Sequence, residues 1–175
     1  MHHFRFVIGG ALVVLVIGSL AFIYISFLHD SNEPAEYTLL QAPDFSLPDA
    51  SGKNISLETL EGDVKVITFW ASWSPYTREE LTSLSKLKEE YGDKVSVAAL
   101  NRDANPAEGR AYLETLGLGE VLVFAYDQQD EYFKKVNGYA MPETLFLNAD
   151  AKIVFHQHGP MTYDEMRAQI ETMLR

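Results

Sequence analysis

The amino-acid sequence predicts an α/β fold with a central mixed sheet flanked by helices, preceded by one N-terminal transmembrane helix. Three observations support this fold class. An uncharged run fills residues 6–28, β-branched and aromatic segments alternate with amphipathic ones from residue 64 onward, and a tight turn at Asn148–Asp150 separates two closing strands. Strands that alternate with helices indicate a mainly parallel sheet, and the closing hairpin adds an antiparallel edge.

The first element is the uncharged run from Phe6 to Leu28. At about 1.5 Å per residue, a helix of this length crosses a hydrocarbon core of roughly 30 Å. A cleaved signal peptide is the alternative, because Ser19–Ala21 offers small residues of the kind found at cleavage sites. The run stays apolar beyond that point, which favours an uncleaved anchor.

The charges around this run predict its orientation. Arg5 and the terminal amino group precede it, and the first acidic residue, Asp30, follows it. Positive charge is retained in the cytoplasm, so we expect a single-pass protein of the cell (inner) membrane with its N-terminus in the cytoplasm and its C-terminal domain in the periplasm. The expected organisation is a cytoplasmic segment at 1–5, the anchor at 6–28, a linker at 29–38 and one globular domain at 39–175.

Composition excludes several classes of function. A net charge of −11 argues against nucleic acid as a partner. The chain contains no cysteine, which excludes covalent haem attachment, thiolate metal sites and peroxidatic thiols. No motif indicates a cofactor or a metal, and we expect neither.

Turn and cap signals divide the globular domain. Residues 42–60 alternate apolar and polar side chains around a turn at Pro48–Gly52, which predicts an N-terminal β-hairpin. The apolar run Val64–Ala71 predicts a buried central strand. Ser74 as N-cap and Pro75 at the first helical position predict a helix that ends near Gly92. The later predicted elements are strands at 94–100, 121–126, 143–147 and 152–156, helices at 106–116 and 131–136, and a last helix that begins with a capping box at 162–165.

The segment Trp70–Glu80, WASWSPYTREE, resembles the active-site segment of membrane-anchored thioredoxin-like proteins of the TlpA, ResA and CcmG (DsbE) type. In that family the segment runs W-A-x-W-C-x-x-C and continues into a helix that carries a glutamate. Ser74 and Thr77 stand at the two cysteine positions, and Glu80 stands at the glutamate.

Three further segments resemble the same family, so that the resemblance covers about residues 39–175. GYAMPETLFL at 138–147 is similar to the segment with a cis proline, QAPDFSL at 41–47 to the entry strand, and HGPMT at 158–162 to the turn before the last helix. The resemblance implies a thioredoxin-like fold and a cis Met141–Pro142 bond. It also implies a relation to enzymes that reduce disulfides during cytochrome c maturation.

Disulfide exchange needs a thiolate. A serine or threonine hydroxyl is a far weaker acid and forms no disulfide. The sequence therefore predicts that this chain has no catalytic residue for that reaction, although it keeps the surrounding motif.

Each residue of the motif also has a simpler interpretation. For Ser74 an N-cap is favoured over a direct ligand contact, and Thr77 is most simply a polar residue of the first helical turn. For Glu80 an exposed first-turn acid is favoured over a retained active-site carboxylate. Trp73 and Tyr76 flank the motif and would suit a binding surface if they are exposed.

Other aromatic and histidine residues have a structural interpretation. We expect Phe69 and Trp70 in the core. His156 and His158 alternate on a strand and would share one face. Without an acid nearby in the sequence, an edge-strand face is favoured over a two-histidine metal site.

The favoured hypothesis is a redox-inactive thioredoxin-like protein that binds a polypeptide partner or acts as an accessory subunit of a membrane-protein complex. Its expected binding groove is formed by Trp73, Ser74, Pro75, Tyr76, Thr77, Glu80, Met141 and Pro142. One alternative is a thiol–disulfide oxidoreductase whose cysteines have been replaced in this sequence. Serine hydrolysis is a third hypothesis, but the chain lacks a G-x-S-x-G motif.

Overall fold

A computed structural model describes residues 39–118 and 121–175. The predicted cytoplasmic segment, anchor and linker, residues 1–38, lie outside the described residues. None of the helices within 39–118 and 121–175 is both long and apolar enough to cross a membrane.

The described residues form a mixed sheet with helices on both faces, as the sequence predicts. The elements are β1 (Ser46–Pro48), β2 (Asn54–Ser56), β3 (Val64–Trp70), α1 (Thr77–Tyr91), β4 (Val95–Asn101), α2 (Pro106–Leu116), β5 (Val123–Tyr126), α3 (Glu131–Lys135), β6 (Glu143–Asn148), β7 (Ile153–His158) and α4 (Tyr163–Met173). The small β-hairpin pairs β1 with β2, and the five-stranded sheet has the order β5-β4-β3-β6-β7. β4 and β5 continue the sheet parallel to β3. On the other side of β3, β6 is antiparallel to β3, and β7 is antiparallel to β6.

Two apolar cores cover the two faces of the sheet. Side chains alternate along β3, so that Val64, Val66 and Trp70 point to one face while Ile67 and Phe69 point to the other. The first face packs against α1 and α4. The second packs against α3 and the segment around the hairpin. Phe69 and Trp70 are fully buried, which confirms their predicted place in the core.

Local end signals determine where α2 and α4 begin. Asn105 caps α2 by accepting a hydrogen bond from the backbone of Ala107, and Gly117 ends it with a φ of 63°. Thr162 and Glu165 form the predicted capping box of α4. These boundaries follow the sequence because each depends on residues only a few positions apart.

The predicted start of α1 is wrong. α1 begins at Thr77, its N-cap position is Tyr76, and the side chain of Ser74 does not cap this helix. The backbone N–H of Ser74 donates to the carbonyl of Ala71, and that of Thr77 donates to the carbonyl of Ser74. These bonds form successive turns between β3 and the helix, so the first helical i→i+4 bond joins Glu80 to Tyr76.

Candidate functional site

The two predicted motif segments meet at one end of the central sheet. Phe69 of β3 lies opposite Glu143 of β6 in the antiparallel register. One step further, that register sets Pro142 beside Trp70, so the turns after β3 and the segment before β6 leave the sheet at the same edge. The Met141–Pro142 bond is cis, as predicted.

The hydroxyls at the two former cysteine positions are both buried. Thr77 Oγ1 donates to the carbonyl of Ala71 at 2.8 Å. Ser74 Oγ makes no hydrogen bond within the described residues, although its side chain is almost completely buried. An activated serine needs a base within hydrogen-bond reach, so this geometry does not support serine hydrolysis.

Exposed apolar side chains surround these hydroxyls. Trp73 is 66% exposed and Tyr76 is 48% exposed. Pro75 between them is also exposed. Across the edge, the side chain of Met141 is half-buried. Among the backbone hydrogen bonds of the described residues, none involves the peptide groups of Met141.

Glu80 lies beneath this surface and is only 2% exposed. The favoured interpretation of it as an exposed first-turn acid is therefore wrong. The first turn of α1 packs onto the sheet, and Glu80 Oε1 accepts hydrogen bonds from Thr68 at 3.0 Å and Thr144 at 2.7 Å. These threonines are register partners on β3 and β6. Glu80 thus connects α1 to the two central strands.

Burial controls the ionisation of Glu80. It raises the pKa of this carboxyl from 4.5 to about 7, and the hydrogen bonds from Thr144 and Thr68 lower the pKa less than burial raises it. Glu80 Oε2 has no hydrogen-bond partner in the described part of the chain. A carboxyl of this kind can hold or release a proton near neutral pH.

Sequence reasoning missed a second polar cluster at the same end of the sheet. The carboxylate of Asp103, which is buried, accepts hydrogen bonds from the backbone and hydroxyl of Ser72. Asn101 Nδ2 donates to the same carboxylate at 2.8 Å. Asp103 therefore fixes the first residues of the turn that follows β3. The N-R-D sequence at the end of a strand was the available signal.

A third cluster, which was also missed, lies on the face of β6 that is opposite to Thr144 and Glu80. Glu143 Oε1 lies 2.6 Å from both His156 Nε2 and His158 Nδ1. Its other oxygen, Oε2, accepts hydrogen bonds from the backbone N–H groups of Tyr139 and Ala140. Burial lowers the pKa of His156, while its bond to Glu143 opposes that change. The acid that is absent from the sequence around the two histidines is supplied by the neighbouring strand, β6.

The comparisons with known proteins agree on one family. The family model described as Redoxin matches residues 40–174. The thioredoxin-like protein YneN of Bacillus subtilis is 32% identical over 135 residues, which cover 75% of this chain and 77% of YneN. The thiol:disulfide interchange protein DsbE of Allochromatium vinosum is 32% identical over 136 residues, which cover 76% of this chain and 73% of that protein.

Solved structures show the same fold. A Chlorobium tepidum protein described as a thiol:disulfide interchange protein DsbE superposes with a TM-score of 0.73 at 23% identity, covering 78% of this chain and 97% of its own. StoA of Bacillus subtilis superposes with a TM-score of 0.61 at 21% identity, covering 73% of this chain and 96% of its own. The predicted thioredoxin-like fold is thereby confirmed for the described domain.

Proposed function

This chain belongs to the Redoxin family, and we propose that it is a member that binds an extended polypeptide without thiol–disulfide exchange. One observation supports this above all. The motif segment keeps its place between β3 and α1, but its two hydroxyls are buried while Trp73, Pro75 and Tyr76 point to solvent. A site that has lost its reactive group and keeps exposed aromatic residues is suited to binding rather than to covalent chemistry.

The chemistry of the edge favours an extended peptide as the occupant. Trp73 and Tyr76 offer large apolar surfaces with polar tips, the residue types that contribute most to binding energy at interfaces. The peptide groups of Met141, which make no backbone hydrogen bond to any described residue, can pair with an incoming strand by main-chain hydrogen bonds. Ser74 and Thr77 support this surface from beneath, and the bound peptide stays non-covalently held.

The N-terminal segment suggests where such binding takes place. We propose that residues 6–28 anchor the protein in the cell membrane and that the domain faces the periplasm, where it acts alone or as an accessory subunit of a membrane-protein complex. Protease added to intact spheroplasts should remove the domain. Protection until lysis would reverse the proposed orientation.

The second candidate is a thiol–disulfide oxidoreductase whose cysteines have been replaced in this sequence. The names of relatives such as the thiol:disulfide interchange protein DsbE favour it. Against it, the Ser-Pro-Tyr-Thr segment differs at both cysteine positions by different residues, whereas deliberate replacement usually introduces the same residue twice. The natural coding sequence distinguishes the two candidates.

Affinity purification of the full-length chain from detergent-solubilised membranes tests the binding proposal. Trp73→Ala and Tyr76→Ala should each weaken capture of the partner by about 1–3 kcal/mol, which is about thirtyfold in affinity at the centre of that range. Met141→Asp should do the same by placing a charge at the edge. Leu40→Ala is the matched control, because Leu40 is 74% exposed but lies outside the motif.

The partner should remain bound in excess reductant, because no disulfide holds it. Undiminished recovery with all three motif variants would mean that another face, or the anchor, binds the partner.

A further inference from the structure

The cluster of Glu143, His156 and His158 is assembled by an irregularity in the closing hairpin. Near the turn, Leu147 lies opposite Ile153, but from Phe146 onward the register shifts by one residue. Without that bulge, Glu143 would lie opposite Gln157, and both histidines would point to the other face. With it, Glu143 lies opposite His158, so all three side chains share one face. Bulges often redirect side chains in this way beside functional sites.

The carboxylate of Glu143 is oriented before any ligand arrives. Its side chain is fully buried. Two backbone N–H groups, from Tyr139 and Ala140, hold Oε2, which leaves Oε1 directed at the two imidazoles. Metal-binding carboxylates are commonly held by such outer hydrogen bonds. The ring of His158 is also supported, because Tyr139 stacks on it at 4.1 Å between ring centroids.

The three candidate ligand atoms have the chemistry and spacing of a metal site. Two imidazole nitrogens and one carboxylate oxygen all lie within 4.8 Å of one another. Imidazole suits Zn²⁺, Cu²⁺, Fe²⁺ and Ni²⁺ better than it suits Mg²⁺ or Ca²⁺. Zinc bonds of about 2.0–2.2 Å in a tetrahedral site put neighbouring ligand atoms roughly 3.4 Å apart. The present 2.6 Å contacts therefore need only a small outward movement of half-buried rings on an edge strand.

The histidines also face an opening. A surface cavity of about 630 Å³ is lined by both of them together with Leu40, Lys135 and Tyr139. A small ligand can therefore reach the cluster from solvent. Two histidines, one glutamate and an accessible fourth position are the arrangement of open zinc sites.

We propose that Glu143, His156 and His158 bind one divalent transition-metal ion of the zinc class and leave one coordination position open to this cavity. Each imidazole then presents the lone pair of the nitrogen that faces Glu143, and carries its proton on the other ring nitrogen. The site lies on the opposite face of β6 from Glu80, and it does not depend on the proposed peptide binding.

Titration of the full-length protein in detergent, stripped of metal with EDTA, tests this proposal. Zn²⁺ followed by calorimetry should bind with a stoichiometry of one per chain, and Co²⁺ should give the visible absorption of a four-coordinate site. His156→Gln combined with His158→Gln should lower the affinity at least a hundredfold. Glu143→Gln keeps the size of the side chain and should lower it at least tenfold.

The matched control removes the other three of the five histidines, as His2→Gln, His3→Gln and His29→Gln together. This variant should keep the full affinity and stoichiometry. The proposal is overturned if zinc binding follows the N-terminal histidines instead, or if neither variant changes it. If Glu143→Gln fails to fold, the two histidine substitutions on the partly exposed edge strand still decide the question, with circular dichroism as the check of folding.

Discussion

Glu80 and Glu143 are both buried carboxylates at the same end of the central sheet, but they lie on opposite faces of it and have different partners. Glu143 has hydrogen-bond partners at both oxygens, two backbone N–H groups at one and two imidazoles at the other. Glu80 has two threonine hydroxyls at one oxygen and no partner at the other within the described residues. The two side chains are buried to a similar depth, so they differ in their hydrogen-bond partners.

This difference indicates different roles. A buried carboxylate with all its hydrogen bonds made holds the backbone and orients its neighbours. A buried carboxylate with a free oxygen and a raised pKa weakens the fold whenever it is ionised. In this chain the fully paired acid fixes the segment before β6, whereas the partly paired acid lies beneath the proposed binding surface.

The largest expected effect comes from removing the paired acid. Glu143→Ala leaves the N–H groups of Tyr139 and Ala140 without their acceptor and opens a cavity, so it should lower the free energy of unfolding by about 4 kcal/mol. Urea unfolding of the full chain in detergent, followed by tryptophan fluorescence, measures this. Glu114→Ala on the exposed side of α2 is the control and should stay within about 0.5 kcal/mol of the wild type. Equal effects of the two substitutions would remove the distinction between the paired and the exposed acid.

The next effect concerns the pH dependence due to Glu80. Its pKa of about 7 in the folded state lies above the ordinary value of 4.5. Between pH 4.5 and pH 7 the folded state therefore binds more protons than the unfolded state. Stability therefore falls as pH rises from 4.5 to 7, by about 3 kcal/mol from this group. Glu80→Gln, which keeps the acceptor for Thr68 and Thr144, should remove most of that fall. Unfolding free energies at pH 5 and pH 8 for both proteins give the answer, and parallel pH profiles would contradict a raised pKa.

The smallest effect applies the same contrast to the former cysteine positions. Thr77→Val removes the hydroxyl that donates to the carbonyl of Ala71, while the backbone N–H of Ser74 still donates to that carbonyl, and it should cost about 1 kcal/mol of unfolding free energy. Ser74→Ala removes a buried hydroxyl that has no partner within the described residues, and it should be neutral or stabilising by up to about 1 kcal/mol. Thermal unfolding of the two variants is sufficient to compare them. A larger loss for Ser74→Ala would mean that its hydroxyl has a bond that the structure lacks.

The sequence predicted those features that depend on neighbouring residues. The bounds of α2 and the capping box of α4 follow from Asn105, Gly117, Thr162 and Glu165, each of which acts within one helical turn. The central strand β3 and the mixed sheet follow from the apolar run and from the alternation of elements.

The sequence did not predict features that depend on distant packing. The helical pattern of the sequence predicts that Glu80 is exposed. In the structure the first turn of α1 rests on Thr68 and Thr144, so the acid is buried. The pairing of Glu143 with the histidines depends on the bulge after Phe146. The turn residues Asn148–Asp150 predict the strand register only near the turn. The one-residue shift beyond it could not be predicted from neighbouring residues.

Restoring the cysteines is the most direct test of the central claim, that this chain keeps the site of a Redoxin-family protein without its thiol chemistry. Reduction of insulin disulfides by dithiothreitol should proceed at the buffer rate with the wild-type chain, because it offers no thiolate. Ser74→Cys combined with Thr77→Cys should form a disulfide under oxidant and accelerate the reaction. Acceleration by the wild-type chain would contradict the claim. Two restored thiols that never pair would show that the turn between β3 and α1 has lost the geometry a disulfide requires.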